Sequence, residues 1–268
     1  MDIMTNWNAE QYLKYRVERT QPSIDLARRI TVPSPLRILD LGCGPGNSTA
    51  VLREVFPQAK TILGVDSSED MVARARNEHP ELEFAAFDVR EELSSLGEKW
   101  DVIFSNACLH WIPDHRKLLP RLMSSLSAGG QLAVQVPITK DAALYKACDT
   151  LQTSEHWKGI LPKETRKFHQ LEAEEYCDIL SSCARDFTIW ETIYHHIMPG
   201  LDAVIEWYRG SGLRPYLAAL PDDDSRKMFI RELSDRLSDA YPRLADGRIL
   251  MRFPRLFFIA TAETTMTE

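Results

Sequence analysis

No two of the five cysteines stand at C-x-x-C spacing, and an odd number leaves at least one thiol without a bridge. That argues against a disulfide framework and against a structural zinc site. No Lys/Arg-rich block interrupts a chain whose formal net charge is −7, so nucleic acid and anionic membrane are poor candidates as partners. No apolar run approaches the roughly 20 residues of a membrane span. The opening stretch MDIMTNWNAEQYLKYR lacks the basic-then-apolar order of a secretion signal. There is no internal repeat and no low-complexity tract. The expectation is a soluble, cytoplasmic protein with one domain over 1–268, long enough to bury a sizeable core.

What is present is an alternation of short apolar runs and helical patterns. RILDLG (from Arg37), TILGVD (Thr61), LEFAAFD (Leu82), WDVIFSN (Trp100) and QLAVQVP (Gln131) read as strands. Residues 47 to 55 read as a helix. A second helix follows TILGVD, capped by Ser67 with Asp70 at the capping-box position. A third runs from Asp114 to a stop before Gly129-Gly130. Strands alternating with helices imply an α/β fold with a mostly parallel sheet and helices on both faces. Residues 7 to 30 carry helical spacing broken by Pro22, which gives an N-terminal helical segment over 1–30. After residue 137 the pattern changes. Residues 140–183 read as helices and loops, FTIWETIYHHIMP (from Phe187) as a long strand, 200–250 as helices, and RLFFIATA (from Arg255) as a final strand. A helical insertion thus separates the last two strands, where an α/β enzyme places a substrate cap.

The chemistry starts at ILDLGCGPGNST, where Asp40 precedes Gly42, Gly44 and Gly46. A phosphate loop would need a lysine after the glycines, and none follows. A dinucleotide loop would need a third glycine where Asn47 stands, and Pro45 removes a backbone donor. A carboxylate at this strand end is a poor neighbour for pyrophosphate and a good one for an ammonium group. Asp66, ending the next strand, suits ribose hydroxyls. Asp88, ending the third, suits the exocyclic amine of adenine as an acceptor, and the backbone N–H of Val89 could equally donate to adenine. Ammonium, ribose and adenine without phosphate describe S-adenosylmethionine.

LDLGCGPG, GVDSS, FAAFD and SNACLHW, in that order, resemble the motifs of class I S-adenosylmethionine-dependent methyltransferases over 36–137. WNAEQYLKYRVERTQP, NACLHWIPDH, YHHIMP, IEWYRGSGLRP and FPRLF extend the likeness nearly end to end to the trans-aconitate 2-methyltransferases. The resemblance implies a Rossmann-like seven-stranded fold with a helical cap and monomethyl esterification of a tricarboxylate. It implies a cofactor site from Asp40, Gly42, Gly44, Asn47, Asp66, Ser67, Met71, Asp88, Val89, Asn106 and Leu109. His110 and Trp111 would lie near the reactive methyl. No general base is expected, because a carboxylate acceptor is already ionised at neutral pH, and no metal is called for. Arginine grips carboxylate with a planar fork. Arg19, Arg214 and Arg255 are therefore the substrate-binding candidates, with Tyr194 and His196 as added donors; Arg209 and His195 lie nearby. Two other readings stay open: a carboxyl methyltransferase for carrier-linked acids, which should show a basic docking face, and a non-catalytic cofactor-binding module, which should lack an acceptor pocket.

Overall fold

The first strand has no alternation because it is covered on both faces: Ile38, Leu39 and Leu41 are fully buried, the pattern of a central parallel strand. In the computed structural model, which describes residues 16–97, 99–161, 168–209 and 212–264, β1 (Arg37–Leu41) is followed by α2 (Asn47–Val55), β2 (Thr61–Asp66), α3 (Glu69–Glu78), β3 (Glu83–Ala86), β4 (Trp100–Asn106), α4 (His115–Ser124) and β5 (Leu126–Pro137). Helix α1 (Arg16–Ala27) precedes them. Then come α5 (Ala143–Thr153), α6 (Ala173–Cys183), β6 (Asp186–Met198), α7 (Leu201–Arg209), α8 (Arg214–Ala219), α9 (Asp223–Leu237) and β7 (Ile249–Thr261).

The sheet order is β3-β2-β1-β4-β5-β7-β6. Strands β1 to β5 pair in parallel, and β7 runs antiparallel to β5. Successive strands step outward from β1 to β2 and β3, then reverse to β4 on its other side. Right-handed crossovers put the helices before and after that reversal on opposite faces. The reversal opens a crevice beyond the carboxyl ends of β1 and β4, where open α/β sheets bind ligands. Register places Asp40 beside Gly64 and Phe104, and Asn106 beside Gln135.

The chain divides into two compact units. One holds β1 to β5 and parts of β6 and β7 through residues 17–137, 168–192 and 255–264; the other takes residues 16, 138–161 and 193–254 among those described. The second unit has its own core, with Trp157, Phe229, Leu233 and Met251 fully buried. There Trp157 meets Phe229 edge-on at 5.5 Å and donates its indole N–H to Glu232 at 3.0 Å. None of the described helices is long and apolar enough to cross a membrane, and all five cysteines are free.

Several boundaries differ from the expectations. Helix α1 continues through Pro22; burial of Pro22, Ser23, Leu26 and Ala27 on one side outweighs the one hydrogen bond that proline removes. The part of the N-terminal segment before residue 16 lies outside the described residues. Helix α4 begins at His115, because Asp114 takes a left-handed conformation (φ 57°) and caps nothing with its side chain. The Gly129-Gly130 pair falls inside β5, beside a register shift against β4. Strand β7 starts at Ile249, six residues before Arg255.

Candidate functional site

Asp40 is fully buried at the end of β1. Ser48 and Thr49, in the first turn of α2, donate their hydroxyls to its Oδ2 at 2.6 and 2.7 Å. Its Oδ1 has no hydrogen-bond partner among the described residues. Burial pushes the carboxyl up to about 6, against the two hydroxyl bonds that pull it down. A half-satisfied buried carboxylate costs free energy until a cation or donor reaches it. An ammonium group is such a partner.

The loop after Asp40 is shaped by its glycines. Gly42 has φ 73° and donates its N–H to Val65 O at 2.8 Å, as Cys43 does at 3.0 Å. Gly44 has φ 53°, and a Cβ there would meet nothing within 4 Å. Its backbone therefore borders open space, as a loop that receives a ligand must. The Gly44 N–H donates to Asp66 Oδ2 at 3.0 Å, while Asp66 Oδ1 accepts from Ser68 N at 2.9 Å. One carboxylate thus ties the first loop to the start of α3. Burial raises its pKa, partly offset by those two N–H bonds.

Ser67 is exposed and does not cap α3; Ser68 does, accepting from Met71 N at 3.4 Å. The shift of one residue follows from Asp66, whose Oδ1 already holds the Ser68 N–H. Met71 is 5% exposed on α3. Asn47 opens α2 with its side-chain oxygen buried and lacking a partner among the described residues. Asp88 is gripped by Arg90, whose Nε lies 3.0 and 2.9 Å from its two oxygens. That hydrogen bonding holds Asp88 below the usual carboxylate range, so it remains an acceptor with its charge already paired. Val89 is buried beside it.

Past β4, Asn106 keeps its side-chain oxygen buried with no partner among the described residues. Leu109, His110 and Trp111 form a short turn, with Leu109 and His110 buried. The His110 ring lies 4.7 Å from Trp111 and 5.8 Å from Phe168, and the His110 carbonyl accepts from His169 N at 2.8 Å. The turn is braced from below by a residue that the sequence did not single out. Buried His115 meets Leu109 O with Nε2 at 2.9 Å and the Tyr176 hydroxyl with Nδ1 at 2.8 Å. A carbonyl only accepts, so Nε2 carries the proton and Nδ1 accepts from Tyr176. Burial lowers the pKa of His115, which keeps the ring neutral as this pairing requires.

Of the substrate candidates, Arg19 on α1 and Arg255 on β7 belong to the unit that holds Asp40. Arg19 is half-buried. Arg255 is 6% exposed and donates Nη1 to Gln135 Oε1 at 3.4 Å. Gln135, fully buried, is the second residue that sequence reasoning passed over; a polar letter inside the apolar run LAVQVP was its signal. Tyr194, His196 and Arg214 belong to the other unit. Tyr194 and His196 share one face of β6, their rings 8° from parallel and 6.5 Å apart, and His196 packs on Trp207 at 4.9 Å. His195 points to the exposed side. Arg214 begins α8, half-buried, and burial lowers its pKa. Arg209 is exposed and pairs with Glu206 on its own helix at 3.3 Å. No group of three or more His, Cys, Asp or Glu among the described residues is arranged to hold a metal ion.

Comparison with known proteins bears on the family and the fold. The methyltransferase domain family matches residues 12–191. A trans-aconitate 2-methyltransferase of Rhodopseudomonas palustris is 40% identical over 96% of this chain and 99% of its own length. One from Variovorax paradoxus is 37% identical over 96% and 98%. Among solved structures, the YcgJ protein from a Bacillus superposes with a TM-score of 0.57 at 17% identity, covering 92% of this chain and 99% of its own. Phosphoethanolamine N-methyltransferase 2 of Haemonchus contortus, solved with S-adenosyl-L-methionine, gives 0.51 at 18% identity over 91% of this chain and 53% of its own. At such identities the structures show the common class I fold, and the sequence relatives carry the closer assignment: with an acid-bounded glycine loop at the sheet's reversal and this likeness along nearly its whole length, the chain belongs to the trans-aconitate 2-methyltransferase family of methyltransferases.

Proposed function

We propose that this protein uses S-adenosylmethionine to methylate one carboxylate of trans-aconitate, or of a closely related polycarboxylate, and releases the monomethyl ester. The observation that carries the reading is Asp40: a buried carboxylate with one unpartnered oxygen, beside a glycine loop that Asp66 holds open. Asp40 would take the cofactor's ammonium group and Asp66 its ribose hydroxyls. Asn47, Ser67, Met71, Asp88, Val89, Asn106 and Leu109, with Gly42 and Gly44, would complete the pocket. When bound, S-adenosylmethionine supplies an electrophilic methyl group on a sulfonium.

The remaining work falls to the chain's own groups. The acceptor carboxylate is ionised at neutral pH, so no side chain has to remove a proton. His110, packed against Trp111 and Phe168, acts as a wall. Arg19 and Arg255 in one unit, and Arg214, Tyr194 and His196 in the other, are each candidates to hold an acceptor carboxylate. Orienting two reactants in a dry site supplies on the order of 7–11 kcal/mol. We read residues 1–268 as one methyltransferase domain, with an N-terminal helical segment over 1–30, a cofactor-binding core over 36–137, a helical region over 140–183 and a helical cap insertion over 200–250. We place it in the cytoplasm, a compartment that suits five free cysteines.

The test is turnover of purified protein with S-adenosylmethionine and a panel of di- and tricarboxylic acids. We expect one S-adenosylhomocysteine per monomethyl ester formed, with trans-aconitate among the best acceptors. Methylation of carrier-linked acids alone, or binding without turnover on any acid, would overturn the reading.

A further inference from the structure

Strand β5 carries two glutamines four residues apart, and they are used differently. Gln131 is saturated: Oε1 accepts from Thr31 N at 2.8 Å, and Nε2 donates to the hydroxyls of Thr31 and Thr261 at 2.8 and 3.2 Å. Gln135 is more deeply buried, at 0% exposure, yet its Nε2 has no hydrogen-bond partner among the described residues. The orientation of the amide follows from Arg255, whose Nη1 donates to Oε1 at 3.4 Å. The reversed amide would set donor against donor. The backbone is equally fixed, since Gln135 O accepts from Ala107 N at 3.0 Å.

Position adds a second argument. Gln135 is the register neighbour of Asn106 at the carboxyl end of β4, so it belongs to the sheet edge where the crevice opens. Arg255 lies on the adjoining strand β7, paired with Pro137. A buried N–H donor held in place without a bond is a rare feature of native cores. An apolar ligand would leave it unsatisfied. A carboxylate, acceptor-only with about four lone-pair sites, would satisfy it while lying beside the positive charge of the guanidinium.

Resting on the proposed function, we infer that Gln135 is a specificity-determining residue: its Nε2–H donates to a carboxylate of the acceptor, and Arg255 both fixes the amide and supplies the neighbouring cation. The experiment compares Gln135→Leu, Gln135→Glu and, as a structural control, Gln131→Leu. For Gln135→Leu, kcat/KM for trans-aconitate should fall about ten- to a hundredfold through the acceptor KM, with the S-adenosylhomocysteine Kd within about twofold of wild type. Gln135→Glu should lose more than Gln135→Leu, because it sets a carboxylate against a carboxylate and captures Arg255. Gln131→Leu should lower stability and leave the acceptor KM unchanged. An unchanged acceptor KM in Gln135→Leu, or a loss confined to the cofactor, overturns the inference. Wild-type protein labelled at glutamine side-chain amides gives a reading that needs neither turnover nor folded variants. The Gln135 amide resonance should shift on titration with trans-aconitate and stay in place with an apolar monoester. Wild type that methylates no polycarboxylate sinks the proposed function; an amide that ignores trans-aconitate sinks this inference separately.

Discussion

Cys108 occupies the space that a Cβ on Gly42 would need. The thiol that follows β4 therefore packs directly on the loop that follows β1, at the reversal point of the sheet. The Cys108 pKa is pushed far up by burial and by Asp66 and Asp40 nearby, so this sulfur is a filler and not a nucleophile.

Gly42→Ala should therefore suffer twice, from the methyl's collision with Cys108 and from a φ of 73°. We expect about 1–3 kcal/mol of lost stability and a clear loss of cofactor affinity, read by thermal denaturation and titration with S-adenosylhomocysteine. Adding Cys108→Ala should recover only part of this, since it relieves the collision and leaves the backbone strain. Wild-type melting and affinity in the single variant would contradict the packing described.

Asp40 gives a pH dependence with a defined sign. Its carboxyl titrates at about 6 in the folded protein against 3.8 ordinarily. Between these values the folded chain binds more protons than the unfolded one. Stability of the ligand-free protein should thus decline as pH rises from about 4 to about 6, by about 3 kcal/mol for this group, and level off above. Cofactor affinity should run the other way, weakening about tenfold per pH unit below 6, because the ammonium needs the ionised form. Asp40→Asn should flatten both profiles and bind weakly throughout. Calorimetry across about pH 4 to 8 decides it; an Asp40→Asn protein with the wild-type pH profile would exclude this role.

His110→Gln bears on the absence of a base. General-base catalysis contributes about 10²–10⁴-fold, so a loss in kcat of less than tenfold, with no His-like limb in the pH–rate profile, is the expected outcome. A hundredfold fall in kcat at unchanged binding of both substrates would restore His110 as a base.

The arginines separate by acceptor kinetics. At least one of Arg214→Ala, Arg19→Ala and Arg255→Ala should lose about 2–5 kcal/mol in kcat/KM for trans-aconitate while cofactor affinity holds. Lysine should restore little, lacking the two-pronged contact. If all three retain wild-type values, the anion is held by other groups.

The parts legible in the sequence were those where one residue type has one use. An acid before G-C-G-P-G and another closing TILGVD stand at the ends of β1 and β2, neighbouring parallel strands in which Asp40 lies opposite Gly64. Failures came where tertiary context chose between near-equivalent local options. Ser67 and Ser68 are both good caps, and the Asp66 contact to Ser68 N settled it. Pro22 reads as a breaker, but core burial kept the helix. Gly129-Gly130 reads as a stop, but backbone hydrogen bonds to Glu263 and Ala262 drew it into β5. His115 carried no motif, and Gln135 only a polar letter inside an apolar run; the contacts of their side chains reveal them.

The division of the chain constrains how this protein can change its acceptor. It passes between the two units at 16/17 and 137/138, again between residues 161 and 168, and at 192/193 and 254/255, the last two within β6 and β7. Neither unit is a continuous stretch that can be cut out and grafted. A cassette exchange would sever two strands, so new acceptor preferences in this architecture should arise by point substitution rather than by recombination of modules.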